Sequence, residues 1–438
     1  MPVSQSSPTN VLDDADASAG DRALLERRAR LLGPTYRAFY RNPIHLVRGS
    51  GVWLYDARGR KFLDAYNNVA SVGHCHPRVV EALSGQAATL NTHTRYLSEI
   101  ILDYAEKLLG TVPAHLGHAM FTCTGSEAND LAIRIAQHSS GGTGVIITDF
   151  AYHGATIATA QLSPAAVGAK GVPLHHRTVA APDTFRDHGR AAKDFAKNVA
   201  AAIDDMRAQN IRPAALLLDS AFSSDGIFFP DAAVMREAAD HVRKAGGIVI
   251  ADEVQSGFGR LGQGMWGFAN YGLEPDIVTM GKPIGDGHPM GAMLVRPRLV
   301  SSFGSNTGYF NTFGGNPVAA AVGLAVLDVI EGEGLIENAR NVGAYTADLL
   351  RALQGRHGMV GDVRHNGLYF GVELTADGDA ALAASKTSSV VEAMREDGVL
   401  ISSCGPRGNV LKIRPPLPFA RDNAEQLAET LDRALSNW

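Results

Sequence analysis

Short, wholly apolar segments alternate with segments of helical periodicity through the middle of the chain. The apolar segments are rich in branched residues, as strands buried on both faces of a parallel sheet are, and they span residues 145–147, 215–218, 248–250 and 277–278. Residues 231–244 predict a helix with Val234, Ala238 and Val242 on one face. The alternation predicts an α/β fold, with a mostly parallel sheet and helices on both faces.

The pattern changes on either side of this central region. Residues 52–64 alternate in polarity around Asp56-Ala57-Arg58-Gly59, which predicts a β-hairpin. After about residue 330, helical segments mix with alternating strands such as 368–374, which predicts a smaller α+β domain. Residues 317–330 are apolar almost all round and begin with Asn316 as a cap, so we expect a helix buried between domains or subunits.

These patterns divide the chain into five predicted parts. They are a flexible N-terminal tail at 1–20, an N-terminal segment at 21–65 that joins the small domain, a large domain at 66–316, a linking helix at 317–330 and a C-terminal small domain at 331–438.

Composition excludes some classes of function. The 438 residues carry a net charge of −5 and lack long basic runs, which argues against nucleic acid or an anionic membrane as a partner. Three cysteines are too few and too scattered for a disulfide framework or a metal site, so a reducing compartment is expected. The first twenty residues lack the pattern of a secretory signal, and no segment is long and apolar enough to span a membrane. We therefore expect a soluble, cytoplasmic protein.

Candidate chemical groups follow the predicted strands. Asp252 and Lys282 each come after an apolar run, and Tyr152 follows the strand at 145–147. Because the carboxyl ends of parallel strands meet at one edge of a sheet, these side chains are expected to converge there. The tyrosine is compatible with stacking on a flat aromatic ring and also with ordinary packing.

Residues 124–129, Thr-Gly-Ser-Glu-Ala-Asn, open a segment of helical spacing. The free N–H groups at a helix start suit a phosphate, and Gly125 lets the backbone approach closely. Thr124 with Glu127 three residues later also fits an ordinary capping box. Both interpretations are compatible, because a cap and a phosphate site use the same helix end.

Together these features resemble the class III aminotransferases, fold type I enzymes that use pyridoxal 5'-phosphate (PLP), from about Leu25 onward. The segments that carry the resemblance are Gly73-His74-Cys75-His76-Pro77, 125–129, Tyr152-His153-Gly154, 252–260 and 311–317. The family implies a large and a small domain and a homodimer with two shared sites.

The resemblance also implies roles for single residues around the cofactor ring. Lys282 would hold the cofactor aldehyde as a Schiff base and later act as a base, and Asp252 would pair with the pyridine nitrogen. Gln255 would bond the ring hydroxyl. Val254 would pack behind the ring and Tyr152 in front of it.

Further residues complete the cofactor set that the resemblance implies. Gly125 and Ser126 would hold the cofactor phosphate, and Thr312 would reach the phosphate of the partner subunit's cofactor. His153 and Asp219 are assigned to the same set, although the class often has glutamate at the position of Asp219. The resemblance assigns no metal.

A narrower likeness is to the PLP-dependent phospho-lyases that act on O-phosphoethanolamine or phosphohydroxylysine. The segments that carry this likeness are Asn67-Asn68-Val69-Ala70, Asn91-Thr92 with Arg95, Gly281-Lys282-Pro283, Gly287-His288-Pro289 and 409–416. Residues 221–225 match neither pattern. The cofactor side of the pocket is therefore better specified than the substrate side.

Cations for a substrate phosphate are the remaining candidates. Arg414 falls where class III aminotransferases bind a substrate carboxylate, while Arg95 and Arg407 suit binding and a plain surface position equally. For Lys412 a surface position is favoured. His74 and His76 are expected to be structural hydrogen bonders.

Three functions stay open. The first is a phospho-lyase that eliminates phosphate and ammonia from a small phosphorylated amine. The second is an ω-aminotransferase that moves an amino group to a keto acid. The third is a PLP-binding protein without catalysis, which the intact cofactor motifs disfavour.

Overall fold

The computed structural model describes residues 19–36 and 38–437. Most of the tail predicted at 1–20 lies outside these ranges. Residues 19 and 20 belong to the first helix, α1 (Ala19–Leu32).

The strands of the described chain are given in order as β1 (Leu46–Ser50), β2 (Trp53–Asp56), β3 (Lys61–Asp64), β4 (His118–Thr122), β5 (Gly144–Thr148), β6 (Arg177–Val179), β7 (Pro213–Asp219), β8 (Ile248–Asp252), β9 (Ile277–Met280), β10 (Gly291–Val295), β11 (Val360–Asn366), β12 (Tyr369–Leu374), β13 (Val399–Leu400), β14 (Ser402–Cys404) and β15 (Val410–Ile413).

The helices after α1 are α2 (Pro77–Thr89), α3 (Glu99–Leu109), α4 (Gly125–Ser140), α5 (Ile157–Gln161), α6 (Pro164–Val167), α7 (Arg190–Ala208), α8 (Ala232–Lys244), α9 (Pro297–Asn306), α10 (Pro317–Gly332), α11 (Leu335–Arg356), α12 (Ala380–Glu396) and α13 (Arg421–Ser436). Short 3-10 helices lie at Ala169–Gly171, Arg186–Gly189, Gly267–Tyr271 and Lys282–Gly285.

The large sheet has seven strands in the order β4-β10-β9-β8-β7-β5-β6. β10 runs antiparallel to both β4 and β9, and the other pairs are parallel. The four predicted strands correspond to β5, β7, β8 and β9. All residues of β5, β8 and β9 are buried, as two-sided burial of a parallel sheet requires. The predicted α/β fold with a mostly parallel sheet is confirmed.

Local signals set the predicted helices. Asp231 caps α8 by accepting a hydrogen bond from the N–H of Ala233, and the helix buries Ala238 and Val242 while Val234 is partly buried. The side chain of Asn316 caps α10 by accepting from Ala319 at 2.9 Å. Most of α10 is buried, and the helix packs against α2 and α3.

Two smaller four-stranded sheets complete the structure. The predicted hairpin is formed by β2 and β3, and β3 pairs in parallel with β13 from the far end of the chain. The second small sheet is antiparallel, in the order β11-β12-β15-β14. The N-terminal hairpin therefore contacts the C-terminal region, while the predicted domain boundaries stay a prediction.

Within residues 19–36 and 38–437, none of the helices combines the length and apolar composition that crossing a membrane requires.

Candidate active site

Parallel strands bring the predicted chemical groups to one edge of the large sheet. Asp219 ends β7 and Asp252 ends β8, and the two residues are register partners. Lys282 follows β9 in a turn with a φ of +28°, a left-handed value that costs energy for a residue with a side chain. The strand ends thus place a lysine and two carboxylates beside the same cavity.

The cavity at this edge has a volume of about 310 Å³. Its walls are formed by Val69, Cys123, Thr124, Gly125, Ser126, Asn129, Tyr152, His153, Gly154, Asp219, Asp252, Val254, Gln255, Lys282, Gly287, His288, Pro289 and Met290. Nine of the ten residues assigned to the cofactor are therefore in one place, and the tenth, Thr312, is elsewhere. In the described ranges, His, Cys, Asp and Glu side chains form no group of three that could hold a metal ion.

The Asp252 carboxylate is held by donors on both oxygens. Oδ2 lies 2.8 Å from Nδ2 of Asn129 and 2.8 Å from Nδ1 of His153, and Oδ1 accepts from the N–H of Val254 at 3.0 Å. Asn129 is itself fixed, because its Oδ1 accepts from the Thr279 hydroxyl at 2.6 Å. This network orients a buried carboxylate towards the cavity.

Lys282 is partly exposed to the cavity. Removal from water lowers the pKa of its amine, and the positive charge of Arg414 lowers it further, while Asp252 and Asp219 act in the opposite direction. A lowered pKa increases the fraction of free amine at neutral pH, which is the form that acts as a nucleophile or base.

The first turn of α4 provides a place for an anion. The hydroxyl of Thr124 accepts from the Glu127 N–H at 3.1 Å, whereas the Glu127 carboxylate accepts from Cys123, one residue before the position a capping box would use. A Cβ at Gly125 would lie 2.7 Å from Cγ2 of Val254, and one at Gly281 would lie 2.9 Å from the Gly125 nitrogen. Both glycines are therefore required for close approach of the backbone.

The wall behind Gln255 contains Arg414. Nη1 of Arg414 donates to Oε1 of Gln255 and to Oδ1 of Asn68, the latter at 3.3 Å. Asn68 also donates to the Gln255 carbonyl at 3.2 Å, and Tyr369 donates to Oε1 of Gln255 at 3.4 Å. Asn68, from the Asn67-Asn68 segment of the phospho-lyase likeness, therefore connects Arg414 to Gln255 in the cavity wall.

The other substrate candidates lie apart from the cavity. Arg95 is exposed and stacks on Phe310, with 3.9 Å from Cζ to the ring centre, and Arg407 is exposed in the turn between β14 and β15. Lys412, favoured as a surface lysine, is 7% exposed, and that prediction is wrong. Its strand is covered on this side by the loop after β7, where Ser223 accepts a hydrogen bond from Lys412.

Two histidines and a glutamate near the site have structural partners. His74 contacts Asp64 at 2.6 Å and His76 contacts Glu333 at 3.0 Å, as the sequence predicted for hydrogen-bonding histidines. Glu253, which neighbours Asp252, is fully buried and accepts from the hydroxyls of Ser220 and Ser256 and from two backbone N–H groups. Successive side chains of a strand point to opposite faces, so Glu253 serves the scaffold and Asp252 the cavity.

Sequence reasoning missed several residues of the site. Asn129 belonged to the recognised segment 125–129, yet its contact with Asp252 spans 123 residues and had no local signal. His288 and Met290 line the cavity, and only the Gly287-His288-Pro289 segment pointed to them.

Comparison with known proteins identifies the family. The model of class III aminotransferases matches residues 36–435. The chain belongs to the class III aminotransferase family. It is therefore a PLP enzyme of fold type I, as the sequence predicted.

Relatives within the family have two kinds of activity in their names. The chain is 37% identical to ethanolamine-phosphate phospho-lyase homolog 1 of Caenorhabditis elegans, over 94% of this chain and 93% of the relative. It is 39% identical to the mitochondrial alanine–glyoxylate aminotransferase 2 homolog 2 of Arabidopsis thaliana, over 94% and 87%. Among solved structures, a phospholyase from Arthrobacter in complex with phosphoethanolamine is 43% identical, with a TM-score of 0.91 and coverage of 95% and 100%.

The residues of the cavity fit the family's cofactor. Gly125 and Gly281 leave the backbone of the α4 start open to a phosphate, since a side chain on either would collide with neighbouring atoms. Asp252 and Lys282 line the same cavity as Gly125, so a carboxylate and an amine are available to the ring end of the cofactor.

Proposed function

We propose that the protein is a PLP-dependent phospho-lyase that converts a small phosphorylated amine, such as O-phosphoethanolamine, with water into an aldehyde, ammonia and phosphate. For phosphoethanolamine the aldehyde is acetaldehyde. The observation that carries the proposal is the hydrogen-bonded connection of Asn68, Arg414 and Gln255, because it builds a phospho-lyase-like segment into the wall beside Lys282. The phospholyase from Arthrobacter, solved in complex with phosphoethanolamine, supports the same substrate class.

In this proposal Lys282 and Asp252 have the catalytic roles. When bound, PLP supplies a protonated aromatic ring that accepts the electron pair left after a proton leaves the substrate carbon next to nitrogen. Asp252 keeps the ring nitrogen protonated, and Asn129 and His153 hold the carboxylate in place. The Lys282 amine takes the proton from the carbon, aided by its lowered pKa.

The remaining cavity residues would hold the cofactor. Gly125 and Ser126 would hold the phosphate, and Val254 and Tyr152 would pack against the ring. Gln255 bonds the ring hydroxyl. His153 would contribute by holding Asp252 in position. Asp219 would contribute by fixing the loop after β7, because its carboxylate accepts hydrogen bonds from the N–H groups of residues 221 and 223.

The fate of the electron pair separates a lyase from an aminotransferase. If the β-carbon carries phosphate, the pair forms a new carbon–carbon double bond as the carbon–oxygen bond breaks, and phosphate leaves with the bonding electrons. Cations near the phosphate favour this outcome, because they stabilise the charge that develops on the leaving oxygen. Among the candidates predicted from sequence, Arg414 is the one whose charge lowers the pKa of Lys282.

An ω-aminotransferase is the second candidate function. Its support is the 39% identity to an aminotransferase homologue, together with an arginine at 414, where the class binds a substrate carboxylate. In this case a keto acid is required for turnover. The two functions therefore differ in whether turnover requires a keto acid, which can be measured.

The deciding experiment is a substrate screen of the purified holoenzyme. Phosphoethanolamine without any keto acid should yield phosphate, ammonia and acetaldehyde in equal amounts. Release of phosphate only after addition of pyruvate or 2-oxoglutarate, or transfer of nitrogen with no phosphate release, would overturn the lyase proposal in favour of the aminotransferase.

We also propose a homodimer in which Thr312 reaches the partner's cofactor phosphate. Thr312 is exposed outside its own cavity, and the adjacent Phe313 is 70% exposed. Leu97 is fully exposed, and Arg95 joins its segment to Phe310 by stacking. Exposed large apolar side chains such as Leu97 and Phe313 are the kind that an interface covers.

Sedimentation of wild type and Leu97→Asp tests the dimer. We expect wild type to sediment as a dimer or a multiple of it, and the variant to shift towards monomer and lose activity. A fully active wild-type monomer would contradict the proposal. The cytoplasmic location stays a prediction.

A further inference from the structure

Three buried polar residues lie behind the cavity wall at Gln255, whose side chain accepts a hydrogen bond from Arg414, and they form what we call the β15 cluster: Ser223, Lys412 and Arg414. Lys412 and Arg414 are two positions apart at the end of β15, so their side chains leave the same face of the strand, opposite to Leu411 and Ile413 in the core. Ser223 comes from the loop after β7. The cluster therefore joins the C-terminal sheet to the sheet edge that carries Asp219.

The cluster has more hydrogen-bond donors than acceptors. Nζ of Lys412 donates to the Ser223 carbonyl at 2.8 Å, which leaves further N–H groups on the ammonium. Nε of Arg414 is buried and lacks a hydrogen-bond partner among the described residues, while the buried Ser223 hydroxyl interacts with the hydroxyl of Tyr369. Buried polar groups normally have partners, so the unpaired donors on Arg414 and Lys412 indicate a ligand that supplies acceptors.

Charges around the cluster favour an anion. Burial lowers the pKa of Lys412 most, and the positive charges of Arg414 and Lys282 lower it further. Asp219 is the carboxylate that opposes them, and both of its oxygens already accept from the backbone N–H groups of residues 221 and 223. The net effect is an excess of positive charge behind the cavity wall at Gln255.

We propose that Lys412 and Ser223, together with Arg414, bind the phosphate group of the substrate and thereby determine specificity for a phosphorylated amine over an amino acid. This inference rests on the proposed phospho-lyase function and adds Ser223, and Lys412, for which the sequence favoured a surface position, to the predicted candidate Arg414. Arg414 binds uncharged Gln255 and Asn68 in the structure, and it can exchange these partners for a dianion, to which its hydrogen bonds are stronger.

The number of donors distinguishes phosphate from carboxylate. A carboxylate has two oxygens and is satisfied by one arginine fork, whereas a phosphate has three free oxygens arranged as a pyramid. Lys412 and Ser223 add donors from two other directions. Residues 221–225, which match neither the aminotransferase nor the phospho-lyase pattern, thus gain a role through the hydroxyl at 223.

The binding test uses the holoenzyme and inorganic phosphate as the probe, with affinity measured by titration calorimetry. We expect Lys412→Met to weaken binding by about tenfold to a hundredfold, as expected for loss of a charged hydrogen bond. Ser223→Ala should weaken it by about fivefold. The matched control is Lys197→Met on α7, an exposed lysine far from the sheet edge, which should bind phosphate like wild type. Equal affinity in wild type, Lys412→Met and Ser223→Ala would overturn the proposal.

Lys412→Arg separates charge from general damage to the fold. Burial and the charge of Arg414 lower the pKa of Lys412 to about 7, so wild type should bind phosphate more weakly above about pH 8, where the amine is neutral. Arginine keeps its charge there. The variant should restore binding lost in Lys412→Met and remove the decline at high pH, and a persistent decline would contradict the assignment.

Kinetics distinguish this inference from the proposed function. If phosphoethanolamine is the substrate, Lys412→Met should raise its KM by at least about tenfold. Unchanged phosphate affinity and KM in a working lyase overturn the β15 cluster alone. Absence of lyase activity in a wild type that still binds phosphate through Lys412 overturns the reaction and leaves the anion site supported.

Discussion

The two sides of the cavity differ in how completely their polar groups are paired. On the cofactor side, Asp252 has donors on both oxygens from Asn129, His153 and Val254. On the substrate side, Nε of Arg414 is a buried donor that has no acceptor within residues 19–36 and 38–437. The first side is fixed in advance by protein contacts, as electrostatic catalysis requires. The second side has donors left for a ligand, so its variants should affect substrate binding before they affect cofactor chemistry.

The largest effect is expected for Lys282→Ala on the cofactor side. Removal of the amine eliminates both the covalent attachment and the base, so turnover should fall by about 10²- to 10⁴-fold or more. Phosphate release under saturating phosphoethanolamine measures the loss, and the absorbance of the bound cofactor should change in parallel. The far-UV circular dichroism of the variant should match that of wild type. Turnover within a few-fold of wild type would remove Lys282 from the catalytic role.

Asp252→Asn should have the next largest effect. The amide preserves size but removes the negative charge that keeps the ring nitrogen protonated, so we expect a decrease in kcat on the order of 10²-fold with little change in KM. Glu253→Gln, one residue away, provides the contrast because Glu253 bonds only scaffold groups. It should lower thermal stability while kcat stays near wild type. If Glu253→Gln lowers kcat and Asp252→Asn leaves it near wild type, the roles assigned to the two neighbouring carboxylates are reversed.

Arg414→Met should act on the substrate side by raising KM about tenfold or more, through loss of a charged hydrogen-bond donor. It should also change the pH profile. Arg414 lowers the pKa of Lys282, so its removal raises that pKa, decreases the free amine at a given pH and moves the acidic limb of kcat to higher pH.

Arg414→Lys is the matched control for this prediction. It keeps a positive charge near Lys282, so the acidic limb should stay close to that of wild type even if KM rises. An acidic limb that is unchanged in Arg414→Met would show that the arginine charge does not reach the catalytic amine.

The same contrast determines what could be predicted from sequence. Asp252 and Lys282 each follow a buried apolar strand, and the rule that parallel strands share one carboxyl edge is enough to bring them together. Contacts between distant segments have no such signal: Arg414 and Asn68 are 346 residues apart. The sequence favoured a surface position for Lys412. The loop after β7 covers that face, which only the tertiary structure reveals.

The smallest effect is expected for Asn129→Ala, which removes one of the donors that hold Asp252. Nδ2 of Asn129 bonds Oδ2 of Asp252 and the His153 carbonyl, each at 2.8 Å, while His153 and Val254 continue to hold the carboxylate. Loss of one such bond costs about 1 kcal/mol, so kcat should fall by about fivefold.

Asn338→Ala is the matched control for Asn129→Ala, because the Asn338 amide also donates to two carbonyls, those of Leu417 and Phe419, and does not line the cavity. Both variants should lose thermal stability, but only Asn129→Ala should shift the cofactor absorbance and lower kcat. If both variants lower kcat equally, the decrease reflects a general loss of stability. The hydrogen bond from Asn129 to Asp252 would then have no specific role in the cofactor chemistry.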